Sequence, residues 1–240
     1  MTDQNAEIIS ESLGSTLELL SNVDNYNSWV YEELRHHIGE NVLEIGCGIG
    51  NMTRYLVRSP QVTALDLVPE FAAYTAANVK SPGLKVVVAD AAAPALPYFE
   101  RAPFDTVLLI NILEHIQNEN LVLSRIYNLL KPGGNAVFFL PAMGALFGPL
   151  DAAVGHMRRY EKNPFARTLR RRGFKVVRNE YVNFVGAFGW FAWGRILRLK
   201  KISTGGASIF DRIFPVARTL EKRFSLPFGQ SLITVAKKPS

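Results

Sequence analysis

The chain has 240 residues, 48% of them hydrophobic with a mean hydropathy of +0.07, which is enough to bury one large core with an appended subdomain. A single cysteine, Cys47, excludes an intramolecular disulfide and any metal site built on cysteine, and no metal site is expected. The net charge of +6 is matched by the segment from Arg195 to Arg223, which holds eight basic residues against two acids, so the remainder is neutral.

A basic block of that kind can face nucleic acid, an anionic membrane, an acidic substrate or plain solvent. At the other end, MTDQNAEIISESLGSTLELL is acidic and polar and lacks the basic start and apolar core of a signal peptide. The first forty residues read as an appended helical cap. Strand signals follow in order: short apolar runs bounded by Gly, Pro or Asp at Val42 to Ile45, Gln61 to Leu65, Lys85 to Ala89, Thr106 to Ile110 and Ala136 to Leu140 read as buried parallel strands. Between them, Asn51 to Val57, Pro69 to Val79 and Leu121 to Leu130 read as helices, the last closed by LKPGG. A further helix is expected at Asn163 to Arg172, a sixth strand at Phe174 to Tyr181 and a last one at Ser231 to Lys237. This alternation argues a doubly wound α/β sheet with right-handed crossovers. The uncharged, aromatic-rich stretch from Tyr181 to Gly194 has 14 residues, short of the ~20 that span a bilayer. A cytoplasmic protein is expected, with peripheral membrane contact left open.

Ligands of such sheets bind beyond the carboxyl ends of the strands, where VLEIGCGIGN falls. Gly46, Gly48 and Gly50 follow the first strand and let the backbone turn and approach a ligand without Cβ contact. The dinucleotide fingerprint Gly-x-Gly-x-x-Gly would need glycine where Asn51 stands. Glu44, two residues before Gly46, would repel a pyrophosphate and suits an amino-bearing ligand. Asp66, at the end of the second strand, can accept hydrogen bonds from both hydroxyls of a ribose. A solvated strand-end acid at Glu44 and helix caps at Asp66 and Asp90 are the plain alternatives.

Together these residues resemble the class I S-adenosylmethionine-dependent methyltransferases of the small-molecule type, from about Tyr26 to Phe174 and more loosely beyond. VLEIGCGIGN resembles the first motif, with Glu44, Gly46, Cys47 and Gly48 lining the methionine part of the cofactor. Asp66 and Leu67 in TALDL resemble the ribose position. Asp90 and Ala91 in VVVADA resemble the adenine position. Asn111 to His115, NILEH, resembles the fourth-strand end, with Asn111 toward the cofactor and His115 toward the acceptor. Tyr26 lies in a stretch that the family closes over the cofactor, although Tyr26 and Trp29 also suit an ordinary amphipathic face. Cys47 is otherwise a small loop residue without chemistry, and His115 a packed or capping histidine. The resemblance implies a Rossmann-like methyltransferase fold with a seven-stranded, mostly parallel sheet. Residues 1–240 then form one domain: an N-terminal helical cap (1–40), a cofactor core (41–183 and 228–240), and a helical insertion before the last strand (184–227) as candidate acceptor lid.

The resemblance further implies a sulfonium methyl donor, S-adenosylmethionine, and S-adenosylhomocysteine as product. The acceptor side falls outside the cofactor motifs. Gly155 to Tyr160, GHMRRY, offers His156 as base or acceptor ligand, and Arg158, Arg159 and Tyr160 as holders of an anionic or polar group. The alternative is that they brace the loop through backbone carbonyls. NFVGAFGWFAWGRILRLKK adds Phe184, Phe188, Trp190, Phe191 and Trp193 ahead of Arg195, Arg198, Lys200 and Lys201, suited to a lid over an apolar acceptor, a membrane surface, or an extra packed layer. The expected acceptor is a small amphipathic molecule, aromatic or lipid-like, methylated on oxygen. One alternative is a nucleic-acid methyltransferase, against which Asn111-Ile112-Leu113-Glu114 stands in place of Asn/Asp-Pro-Pro-Tyr/Phe. The other is a non-catalytic cofactor-binding adaptor at a membrane surface.

Overall fold

Alternating side chains along each strand must bury both faces of a sheet that carries helices on each side, and the computed structural model shows how the sequence does so. The structure describes residues 23–93, 102–192, 205–206, 211–212, 214–215 and 227–240. In chain order these give α1 (Asp24–Leu34), β1 (Asn41–Ile45), α2 (Thr53–Leu56), β2 (Gln61–Asp66), α3 (Pro69–Asn78), β3 (Leu84–Val88) and β4 (Phe104–Ile110). Then come α4 (Glu119–Leu129), β5 (Leu130–Pro141), α5 (Pro149–Ala153), α6 (Lys162–Arg170), β6 (Lys175–Val182), α7 (Phe184–Trp190) and β7 (Ser231–Lys237). Short 3-10 turns at Leu113–His115 and Gly144–Leu146 follow β4 and β5.

The strands form one seven-stranded sheet in the order β3-β2-β1-β4-β5-β7-β6. Pairings from β3 through β5 are parallel, and β7 lies antiparallel between β5 and β6. On one face Leu43, Leu109 and Phe138 pack with Leu123 and Ile126 of α4 and Phe165 and Leu169 of α6. On the other, Val42, Leu108, Val137 and Phe139 pack with Trp29, Val30 and Leu34 of α1 and Leu56 of α2. The doubly wound, mostly parallel sheet expected from the sequence is therefore the fold.

Two expectations need correction. LKPGG does not merely close a helix: α4 ends at Leu129 and the chain enters β5 at once. The register between β4 and β5 jumps from Phe104↔Leu130 to Thr106↔Asn135, a bulge that takes up Lys131 to Gly134. Gly133 donates to the carbonyl of Lys238 at 2.9 Å and Lys238 returns a bond to Gly134 at 2.9 Å. Nor is β3 buried: it is an edge strand, half-exposed along its length, because only β2 pairs with it. The predicted cap at 1–40 is described from residue 23, where α1 packs on the sheet, and most of the predicted insertion, Trp193, Arg195, Arg198, Lys200 and Lys201 included, lies outside the described residues.

Candidate active site

Strand order reverses at β1, whose neighbours are β2 on one side and β4 on the other, so the loops after β1 and β4 flank the crevice where open α/β sheets bind ligands. The first loop is held by its own backbone. Gly46 and Cys47 both donate to the carbonyl of Leu65, at 2.7 and 3.0 Å, and Gly48 donates to Oδ2 of Asp66 at 2.7 Å. Gly46 has φ +79°, and a Cβ there would stand 2.2 Å from Cδ1 of Ile112. The glycine is thus required by the packing of the β4 loop against it, not only by a visitor.

Glu44 is buried, with Oε2 accepting from the Thr53 hydroxyl at 2.6 Å. Burial pushes its carboxyl up to about 8, against the smaller opposite effect of the Thr53 bond. Asp66 is also buried and raised above the usual carboxylate range by desolvation, partly offset by the backbone amides of Val68 and Gly48. Those amides use two of the about four acceptor positions of a carboxylate, so further hydroxyl donors can be accepted. Beyond it, Leu67 is 62% exposed and Val88 53% exposed, apolar surface at two adjacent strand ends of the kind a purine ring covers. Asp90 closes a turn onto the Ala92 amide at 2.7 Å, and Arg125 of α4 pins that turn through the carbonyls of Ala91 and Ala93. Burial pushes the Cys47 thiol up, which fits a small loop residue without chemistry.

Across the crevice, Asn111 at the end of β4 has φ +50° and Met143 after β5 has φ +62°, conformations that ordinary side chains seldom adopt. The Met143 amide donates to the carbonyl of Tyr160, which draws GHMRRY back to the sheet. There the network centres on Asp151 of α5. Its fully buried carboxylate accepts from the Gly148 amide at 3.0 Å, Nε of Arg159 at 2.8 Å and the Trp190 indole at 3.1 Å, and meets Nδ1 of His156 at 2.9 Å. Despite burial, the His156 and Arg159 contacts hold the Asp151 carboxyl below its ordinary value. Nε2 of His156 faces Oε1 of Glu114 at 3.6 Å, and its ring meets that of His115 edge-on, centroids 4.9 Å apart. Glu114 is fully buried and pushed up to about 8 by desolvation; burial likewise lowers His115 to about 4.

A family profile described as a methyltransferase domain matches residues 43–138. Residues 43–138 are a class I S-adenosylmethionine-dependent methyltransferase domain. A ubiquinone biosynthesis O-methyltransferase of Xylella fastidiosa (strain M23) is 33% identical over 118 residues, 45% of this chain and 48% of that protein. The chain thus spans about half the length of the curated relatives it matches. Among solved structures, phosphoethanolamine N-methyltransferase 2 of Haemonchus contortus with S-adenosylmethionine aligns at TM-score 0.58 and 20% identity, over 85% of this chain and 49% of that one. The [4+2]-cyclase SpnF aligns at TM-score 0.59 and 21% identity, over 90% and 81%. At these identities the structures show a shared fold, and the cyclase shows that the fold does not dictate the reaction.

The methyltransferase domain brings Glu44, Gly46, Cys47, Gly48, Asp66, Leu67, Asp90 and Ala91 to the carboxyl ends of β1, β2 and β3, with Asn111 facing them from β4. Its buried carboxylates and exposed apolar strand ends suit an amino-bearing nucleoside such as S-adenosylmethionine. Tyr26 sits in an aromatic cluster with Trp29 and Phe214, centroids 5.6 and 5.4 Å away. The arginines of GHMRRY are engaged internally. Arg159, its side chain 1% exposed, donates to the Ala142 carbonyl at 2.9 Å as well as to Asp151, and its guanidinium lies 5.0 Å from the centre of the Trp190 ring. Arg158 pairs with Glu119 at 3.0 Å, and the Tyr160 hydroxyl donates to the same carboxylate at 2.9 Å. Apart from the Ala142 carbonyl, the closest polar partners of these three side chains are carboxylates rather than the backbone carbonyls weighed from the sequence. Asp151, Glu114, Thr53 and Arg125 were not singled out from the sequence; an acid five residues before His156 was the one available signal for Asp151.

Proposed function

We propose that this chain transfers a methyl group from S-adenosylmethionine to an oxygen atom of a small amphipathic acceptor, aromatic or lipid-like. The observation that carries this reading is the Asp151–His156 pair. Asp151 fixes Nδ1 of His156 as the protonated nitrogen and turns Nε2 away from itself, with Glu114 and His115 beside it. When bound, S-adenosylmethionine supplies a methyl group already activated on sulfonium. The chain has then to position the acceptor and exclude water, which can supply ~7–11 kcal/mol. It has also to draw off the proton of an alcohol or phenol, and His156 is the group placed to receive or polarise it.

Likeness to ubiquinone biosynthesis O-methyltransferases supports oxygen as the methylated atom. The partly exposed aromatic residues Phe188, Trp190 and Phe191 at α7 support an apolar acceptor body, Trp190 being tied directly to Asp151. A nucleic-acid acceptor fits less well, because Leu113 and Glu114 are buried in the turn after β4 rather than presented as a base-clamping strand end. No described helix is long and apolar enough to cross a membrane.

The test is a turnover screen over hydroxylated acceptors graded in apolar size, run with wild type and His156→Ala. Activity should rise with apolar size, and the variant should lose about 10²–10⁴-fold in turnover while binding S-adenosylhomocysteine as wild type does. A preference for small polar amines, or an equal loss of cofactor affinity in the variant, contradicts the proposal.

A further inference from the structure

Glu114 presents a problem of its own. Both of its carboxyl oxygens are buried without a hydrogen-bonding partner, the only carboxylate among the described residues for which this holds. A buried acceptor left unsatisfied is destabilising, more so if charged, so its retention calls for something that meets it. What faces it is a pair of imidazoles. One ligand-capable atom from each of Glu114, His115 and His156 lies within 4.8 Å of the others.

We propose that Glu114, His115 and His156 form a binding site for a divalent transition-metal ion of the zinc type, and that an oxygen of the methyl acceptor is its further ligand. The second half rests on the O-methylation reading above; the first does not.

Three features beyond proximity support the site. The 3.6 Å between Glu114 Oε1 and His156 Nε2 is close to the ~3.4 Å between neighbouring donors of a tetrahedral ion held at about 2.1 Å. Each imidazole has one nitrogen already committed. Asp151 holds Nδ1 of His156 at 2.9 Å, and His115 is bonded to the backbone of Gly155. Metal-ligating histidines are oriented in this way by carboxylates and backbone carbonyls, which fix the tautomer and aim the free lone pair. The three groups also come from two separate places, Glu114 and His115 from the turn after β4 and His156 from the segment after α5, and the bond from the Met157 amide to the Glu114 carbonyl at 3.0 Å locks one to the other.

The donor set selects the ion. Two imidazoles and one carboxylate favour zinc, cobalt or nickel over magnesium or calcium, which prefer oxygen donors. Three protein ligands leave a fourth position open, as catalytic sites do. His115 and His156 are partly exposed, whereas Glu114 is buried. A hydroxyl bound at that fourth position loses its proton to solvent more readily. With the ion bound, His156 polarises the acceptor hydroxyl through it, the second of the two roles given to this residue above.

The experiment uses the untagged full chain, freed of metal by dialysis and titrated with Zn²⁺ in a calorimeter and with Co²⁺ by visible absorption. One ion per chain is expected, with a Kd below about 10 µM, together with the Co²⁺ bands of a nitrogen-ligated tetrahedral or five-coordinate site. Glu114→Gln and His156→Ala should each weaken Zn²⁺ at least about tenfold, whereas His37→Ala should leave it unchanged. The Co²⁺ spectrum of wild type reports ligation even if a variant fails to fold. Absence of stoichiometric binding, a preference for Mg²⁺ over Zn²⁺, or binding unaltered in folded Glu114→Gln and His156→Ala overturns the site. Binding is read without acceptor or cofactor, so its failure is distinct from failure of the O-methylation reading. Turnover indifferent to chelation overturns the role of the ion toward the acceptor.

Discussion

The two sides of the crevice are built from different materials. On the cofactor side, the contacts that shape the loop after β1 are mostly backbone: amides of Gly46 and Cys47 on Leu65, and of Gly48 and Val68 on one short carboxylate. On the acceptor side they are side chains reaching across the sequence, Trp190 to Asp151 and Tyr160 to Glu119. A backbone-built site tolerates many side chains and depends on a few glycines and acids at fixed spacing. A side-chain network depends on each member, since removing one strands the others.

The sharpest way to break that contrast is to remove its hub. Asp151→Ala leaves Arg159 buried without its counter-charge, and should cost about 3–5 kcal/mol of stability, read as a fall in Tm of roughly 10 °C. A loss no larger than that of an ordinary surface substitution would erase the contrast. On the cofactor side the expected effect is smaller and appears in binding. Asp66→Ala should weaken S-adenosylhomocysteine by about 1–3 kcal/mol in calorimetry, since charge-assisted bonds to the ribose are lost. Undiminished affinity would mean that Asp66 serves the loop alone.

The smallest effect is a proton. Glu44 is held protonated by burial, with its carboxyl near 8, so its contribution to folding is fully present below the ordinary carboxylate range and is lost as pH rises through 8. An amino group brought against it reverses the preference and expels the proton. Cofactor binding at pH 7 should therefore release up to about one proton, measured by calorimetry in buffers of differing ionisation enthalpy, and Glu44→Gln should abolish the release. A release that survives in the variant places the titrating group elsewhere.

The same contrast explains what the sequence made legible. Parallel strands buried on both faces leave apolar runs that can be read directly, and β7 was read to the residue. The cofactor loop was legible because Glu44, Gly46 and Gly48 act within one strand-turn-helix unit. β3 looked equally apolar but lies at an edge, and exposure depends on pairing order, which no run of residues encodes. The bulge at Lys131 to Gly134 was hidden because Pro and Gly stop a helix and kink a strand alike. Asp151 was invisible for a related reason: within PLDAA it resembles a first-turn helix acid, which it also is. Its partners lie up to 39 residues away, and only the folded chain brings them together. Glu114 stood inside a quoted motif, yet nothing in NILEH announces that its carboxyl is sealed from solvent.

The place of β7 carries a consequence for how the protein is made. This strand, residues 231–237, fills the slot between β5 and β6 and is buried along nearly its whole length. Until it emerges from the ribosome, β6 has no sheet neighbour and β5 keeps one edge open, the edge that continues to Pro141 at the threshold of the acceptor side. A nascent chain can therefore assemble β1 to β5 and its cofactor loop early, and must hold an unpaired apolar edge through synthesis of almost a hundred further residues. Ribosome-bound chains halted before residue 231 should capture chaperones that chains carrying an added C-terminal linker long enough to bring residue 237 out of the exit tunnel no longer recruit.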